Sequence, residues 1–145
     1  MSINQTLTTS FKLELLNAVH AFGSIYRPVD TFMIALYAPP AVLSATTTVY
    51  STINEISGTG YTAGGQALTI VTPITSGTTA FLTFQNVIWT SAPSLMANGA
   101  LIYNASQGNR SVCVLAFGQI ISSQNNTFTI QMPTLNVATA LIGIA

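Results

Sequence analysis

Gly99-Ala100-Leu101-Ile102-Tyr103-Asn104 and Ser111-Val112-Cys113-Val114-Leu115-Ala116-Phe117, parted by Gln107-Gly108-Asn109, decide the fold class. Both runs are short, apolar and rich in β-branched or aromatic side chains, and a Gly-Asn turn signal separates them. The pattern repeats on both sides. Asp30–Tyr37, Thr46–Tyr50, Gln66–Thr72, Thr79–Trp89 (one long run or two short ones), Thr127–Met132 and Ala138–Ile144 all read as strands. Ser76-Gly77, Asn98-Gly99 and Gln124-Asn125-Asn126 supply turns, and Pro39-Pro40 and Pro73 supply stops. Eight or so short strands with closely spaced turns predict a mainly β chain, an antiparallel β-sandwich of jelly-roll-like form. A βαβ fold needs helices between strands, and the sequence offers one helix signal.

That helix is expected at the N-terminus, over about residues 9–22, with Ser10 as a candidate N-cap. Phe11, Leu15, Ala18 and Phe22 recur on one helical face, and Val19 widens the stripe. Leu13, Leu16 and His20 gather on another side, which suits either a deeper core position or a neighbouring subunit. No linker or internal repeat interrupts the 145 residues, so residues 1–145 are read as a single domain.

Charge is scarce. Asp, Glu, Lys and Arg make up 4 % of the chain, and the formal net charge is +0, where about 25 % charged residues is usual. Soluble monomers rely on surface charge to stay apart, so the composition points to a chain built for assembly, with a homo-oligomer as one expected form. It also argues against an enzyme, because acid–base and nucleophilic catalysis need titratable groups with positioned partners. Three cations give no basic patch for phosphates, so direct nucleic-acid binding is not expected. No run approaches the roughly 20 apolar residues of a spanning helix, and no signal peptide is visible at the N-terminus. No membrane partner, cofactor or metal is expected.

The strings that resemble chemistry are weak. Gly58-Thr59-Gly60-Tyr61-Thr62-Ala63 has glycines at dinucleotide spacing, but a strand-like run follows where a helix would have to open. A flexible turn is the better reading. His20 has no second histidine to share a metal with; it reads as a helix-surface or interface residue, with Ser24 as a possible partner. Arg27 and Asp30 flank Pro28 as a local ion pair or an intersubunit contact. Cys113 reads as a buried, inert thiol. Trp89 and the tyrosines could form a sugar-binding platform, although core filling is their commoner use. Asn136–Ala145 is β-prone and uncharged, a hazard on an open edge unless it is paired in a sheet or buried between subunits.

Phe11-Lys12-x-Glu14-Leu15-Leu16, His20-x-Phe22, Asp30-Thr31-Phe32-x-Ile34-Ala35-Leu36-Tyr37, Tyr50, Asn54-Glu55, Gly58-Thr59-Gly60-Tyr61-x-x-Gly64-Gly65-x-x-Leu68, Trp89, Gly99-Ala100-x-Ile102-Tyr103-Asn104 and Phe117-Gly118 follow one another in this order. The combination resembles a family of small structural proteins of tailed bacteriophages, over nearly the whole chain. The chain departs from that family in having Ala116 before Phe117-Gly118, where an Asp is common, and in its low charge. The resemblance implies a virion component made in the bacterial host cytoplasm: a head decoration or cement protein on the capsid surface, bound to the major capsid protein. A neck, tail or baseplate component is the alternative. It implies no catalytic residues. The expected interface residues are Leu13, Leu16 and His20 of the helix, Arg27 and Asp30, Gly58, Gly60, Tyr61 and Gly64 of the glycine-rich loop, and Leu141 and Ile142 of the last strand. A dimer or a trimer suits a symmetric clamp.

Overall fold

In the computed structural model, which describes residues 2–23 and 26–145, ten strands and one α-helix follow the chain. They are β1 (Thr6–Leu7), α1 (Thr9–Leu16), β2 (Phe32–Tyr37), β3 (Gln66–Ala67), β4 (Ile70–Ser76), β5 (Thr79–Phe84), β6 (Val87–Trp89), β7 (Met96–Asn104), β8 (Arg110–Ser122), β9 (Phe128–Ile130) and β10 (Ile142–Ile144). A 3-10 turn, Ala105–Gln107, joins β7 to β8. The largest sheet has the order β1-β8-β7-β2-β3; β10-β5-β4 and β6-β9 form two smaller ones, and every strand ladder is antiparallel. The arrangement is sandwich-like and mainly β, with one N-terminal helix.

Alternation along β2 explains why the large sheet sits in the middle. Phe32, Ile34 and Leu36 face one apolar cluster, and Ala35 and Tyr37 face another. Period-two alternation sends neighbours to opposite faces, so a strand apolar at both parities must be covered on both. The strands of the two smaller sheets cover the first face with Leu82, Phe84, Val87, Trp89, Phe128, Ile130 and Ile142. Ile3, Ala41 and Leu43 cover the second. The register shift between Ile102 and Tyr103 places one extra residue, Val112, in β8. Such a bulge re-phases the alternation, and Val112 and Cys113 accordingly both join the first cluster while Val114 joins the second.

The helix is shorter than the periodicity predicts. It ends at Leu16, not near residue 22. Ala18 takes φ 57, Ala18 N–H donates to Leu15 O at 3.2 Å and Val19 N–H donates to Glu14 O at 2.9 Å. This is the paired closure that ends a helix through a left-handed residue. The apolar spacing that suggested more helix comes from Phe22, which stacks on Phe32 with centroids 4.4 Å apart. The N-cap is Thr8 rather than Ser10; its hydroxyl accepts from Phe11 N–H.

Three strand expectations are also corrected. Thr46–Tyr50 forms no ladder strand; it bridges β8 only at Val49–Arg110, because β1 already pairs with Cys113 and Val114. Gln66–Thr72 is split: β3 pairs with β2, β4 pairs with β5, and the chain changes sheet at Leu68-Thr69. Pro73 falls at the bulge of β4, an edge strand, where its missing N–H is tolerated. In the last segment only Ile142–Ile144 is strand. Asn136 Oδ1 accepts from Ala138 N–H at 2.8 Å, which turns the preceding residues out of extended form. Among the described residues no helix is long and apolar enough to cross a membrane.

Candidate functional site

The few charges of this chain converge. Glu14 at the end of α1 receives Arg110 Nη1 from β8 at 2.9 Å on Oε1, and meets His20 Nε2 at 2.8 Å on Oε2. His20 Nδ1 lies 2.9 Å from Asn104 Nδ2 at the end of β7. The same Asn104 nitrogen donates to Asp30 Oδ2 at 2.8 Å. Asp30 also accepts from Arg27 Nη1 at 3.1 Å, from Gln107 Nε2 at 3.1 Å and from Ala21 N–H at 2.8 Å. Four of the six charged side chains and the one histidine thus form a single chain of contacts from β8 to the start of β2. Burial alone would push the Asp30 carboxyl up; the donors Asn104, Ala21 and Gln107, with the Arg27 charge, outweigh it and hold the carboxyl below its ordinary value.

The apolar walls of this network are Phe11, Phe22 and Phe32, whose ring centroids lie 5.0, 6.5 and 6.3 Å from that of His20. Beside it runs an apolar groove of about 490 Å³ between the segment after α1 and the β10-β5-β4 sheet, lined by Leu15, Phe22, Tyr26, Leu82 and Ile142 among others. Tyr26 is 93 % exposed there, and Leu13 and Leu16 on α1 are 62 % and 86 % exposed.

A second polar centre gathers around Glu55. Its Oε1 accepts from Tyr61 Oη at 2.6 Å and from Gly64 N–H at 2.7 Å, and its Oε2 accepts from Tyr50 Oη at 2.7 Å. Tyr61 Oη in turn accepts from Leu36 N–H at 3.0 Å, and Tyr103 Oη donates to Gly64 O at 2.7 Å. Burial first, and the Glu55 carboxylate second, push the Tyr50 and Tyr61 hydroxyls well above their ordinary range, so both remain donors. The glycine-rich loop is thereby fastened to β2. Gly65 has φ 80 and lies so close to β2 that a Cβ would run into the Ile34 carbonyl.

The expected interface residues divide accordingly. Leu13 and Leu16 are exposed, which removes the deeper-core reading of that pair. His20 is 7 % exposed and lies beyond the end of the helix, inside the network; it is not the surface residue expected, because the left-handed turn at Ala18 folds it under Glu14. Its suggested partner Ser24 lies outside the described residues. Asp30 is buried and is paired with Arg27 within the chain. Gly58 and Gly60 are exposed, whereas Tyr61 and Gly64 spend their polar groups on Glu55 and Tyr103. Ile142 is buried against Leu82, its partner in β5, and Leu141 is half-buried. Trp89 is 1 % exposed and packs edge-on against Phe128, so it offers no face to a sugar. Cys113 is buried, and burial pushes its thiol up to about 12.

Sequence reasoning missed the Glu14–His20–Asn104–Asp30 network because its members lie in four separate segments. The available signal was economy: in a chain with three carboxylates, two stand within six residues of the one histidine or the one Arg-Pro step. Among the described residues no group of three or more His, Cys, Asp or Glu side chains is arranged to hold a metal ion. Compared with family models, curated proteins and solved structures, the chain matches none of them.

Proposed function

We propose that this chain is a non-enzymatic structural protein of a virion, a capsid decoration or cement protein with a jelly-roll-like sandwich, acting as a dimer or trimer. The observation that carries the reading is the use of its charge. Arg27, Arg110, Glu14, Asp30 and Glu55 are all engaged within the chain, while Leu13, Leu16 and Tyr26 are exposed. A surface with little charge and with large apolar side chains favours association over separation.

The mechanism is mass action. A protein that binds the assembled shell and not its separated subunits stabilises the shell, and symmetry multiplies modest contacts through effective concentration. With five of the six charged side chains engaged within the chain, attachment rests on shape, hydroxyls and amides, and depends little on salt. Quantitative mass spectrometry of purified particles tests the reading. A copy number on the scale of the major capsid protein supports it. A handful of copies moves the chain to the neck, tail or baseplate, and absence from the particle overturns the virion reading.

A further inference from the structure

The hydrogen bonds around Asn104 leave His20 one proton arrangement. Asn104 Oδ1 accepts from Ser106 N–H at 3.0 Å, and its Nδ2 faces the Asp30 carboxylate, which can only accept. Both contacts fix the amide in one orientation. The second Nδ2 hydrogen then points at His20 Nδ1, which must be a bare acceptor. The ring proton therefore sits on Nε2 and is donated to Glu14 Oε2. At neutral pH Asp30 is ionised, because its donors hold it below the ordinary value, which keeps this logic intact.

A second ring proton changes the pattern. Nδ1–H would face the Asn104 NH2 group, donor against donor. Turning the amide over cures that contact and spoils two others: Oδ1 then faces the Asp30 carboxylate, and NH2 faces Ser106 N–H. The charged groups facing His20 are Glu14 from α1 and Asp30 from the start of β2. Arg110 of β8 stands behind Glu14 and Arg27 behind Asp30. The remaining walls are the Phe11, Phe22 and Phe32 rings. The 3-10 turn that Asn104 caps also holds the start of β2, through Thr31 N–H to Ser106 Oγ at 2.8 Å and Ala105 N–H to Thr31 O at 2.9 Å.

We propose that His20 and Asn104 form a proton-operated latch: neutral His20 holds Asn104 in place to cap Ala105–Gln107 and bind Asp30, and protonated His20 releases it. The latch is independent of the virion reading above. His20 and Arg27 also line the apolar groove, so release alters one wall of that surface.

The chain has one histidine, so its ring nitrogens give unambiguous signals in the full-length 15N-labelled protein. Long-range proton–nitrogen spectra at about pH 7.5 are expected to show the Nε2–H tautomer. Once acidification towards about pH 5 adds the second ring proton, Ser106 amide protection is expected to fall by about tenfold or more beyond the intrinsic change. His20→Gln, whose amide can donate to Glu14 and accept from Asn104 without titrating, is expected to hold Ser106 protection flat over the same range. An Nδ1–H tautomer or an imidazolium at about pH 7.5 overturns the proposal, as does a ring still neutral at about pH 5. So does an unchanged Ser106 amide on protonation, or the wild-type profile in His20→Gln. If that variant fails to fold, the wild-type tautomer and the Ser106 coupling decide alone.

Discussion

The Glu55 centre and the Glu14–Asp30 network both use carboxylates to fasten loops to β2, and they do it with different donors. Glu55 takes two tyrosine hydroxyls and a backbone N–H, neutral donors whose protons stay put across the physiological range. The other network takes two arginines, two side-chain amides, a backbone N–H and a histidine, and its histidine ring can carry one proton or two. The first is therefore a fixed rivet. The second is adjustable, and it sits beside the exposed apolar groove. A buried polar network is worth most when every member is satisfied, and it fails as a unit when one is not.

The rivet is where substitution costs most. Gly65→Ala puts a Cβ against the Ile34 carbonyl, 2.6 Å from its carbon and 2.9 Å from Ala35 Cα, at φ 80. Neither the β2 backbone nor the loop can yield, since both are anchored. A loss of about 4 kcal/mol or more is expected, read as little or no folded protein in a urea titration. Glu55→Ala leaves Tyr50, Tyr61 and Gly64 without their acceptor, and about 3 kcal/mol should be lost. A Glu55→Ala protein with the wild-type urea midpoint would show that water replaces the carboxylate, and the contrast between the two centres would collapse.

How much of this was legible depended on range in sequence. β2, β7 and β8 were readable because short apolar runs and β-propensity are local signals, although Asn98-Gly99, expected as a turn, lies within β7. Thr46–Tyr50 was misread because its propensity is real but its place beside β8 is taken by β1, a competition that no local window contains. The helix was overextended because Phe22 falls on the helical stripe while the left-handed Ala18 carries no glycine to announce a stop. The helical wheel grouped Leu13, Leu16 and His20 as a second face; the first two are exposed on α1, and the end of the helix at Leu16 removes His20 from it. The His20–Asn104 pairing spans 84 positions and the Asp30–Asn104 pairing 74, and only the folded sheet brings them together.

The adjustable network should announce itself in acid. Asp30 in the folded protein sits below its ordinary value, so the unfolded chain takes up the proton first as the pH falls. The stability Asp30 contributes is then fully present above about pH 4 and is lost as the pH drops through the folded value. The slope from this group cannot exceed about 1.4 kcal/mol per pH unit. Asp30→Asn should lower stability at neutral pH and flatten that acid limb, as measured by urea midpoints from about pH 5 to 2.5. An unchanged limb would mean that other carboxyl groups set the acid response.

The smallest expected effect is the most specific to the turn that builds the latch. Glu14 and His20 meet because the chain reverses at Ala18, which holds φ 57 between them. An L-residue with a Cβ is strained there by roughly 1–2 kcal/mol, and glycine is not. Glycine in turn costs the unfolded chain more freedom to give up, which takes back part of the gain. Ala18 is exposed, so no packing is lost on removing its methyl group. Ala18→Gly should therefore raise the urea midpoint by the equivalent of about 0.5–1 kcal/mol with no change in slope. It should leave the His20 tautomer as it is, because the closure from Val19 N–H to Glu14 O is kept. A destabilised Ala18→Gly protein would instead mean that Ala18 is not held in the left-handed region in solution. The turn that carries His20 beneath Glu14 would then have to be drawn differently.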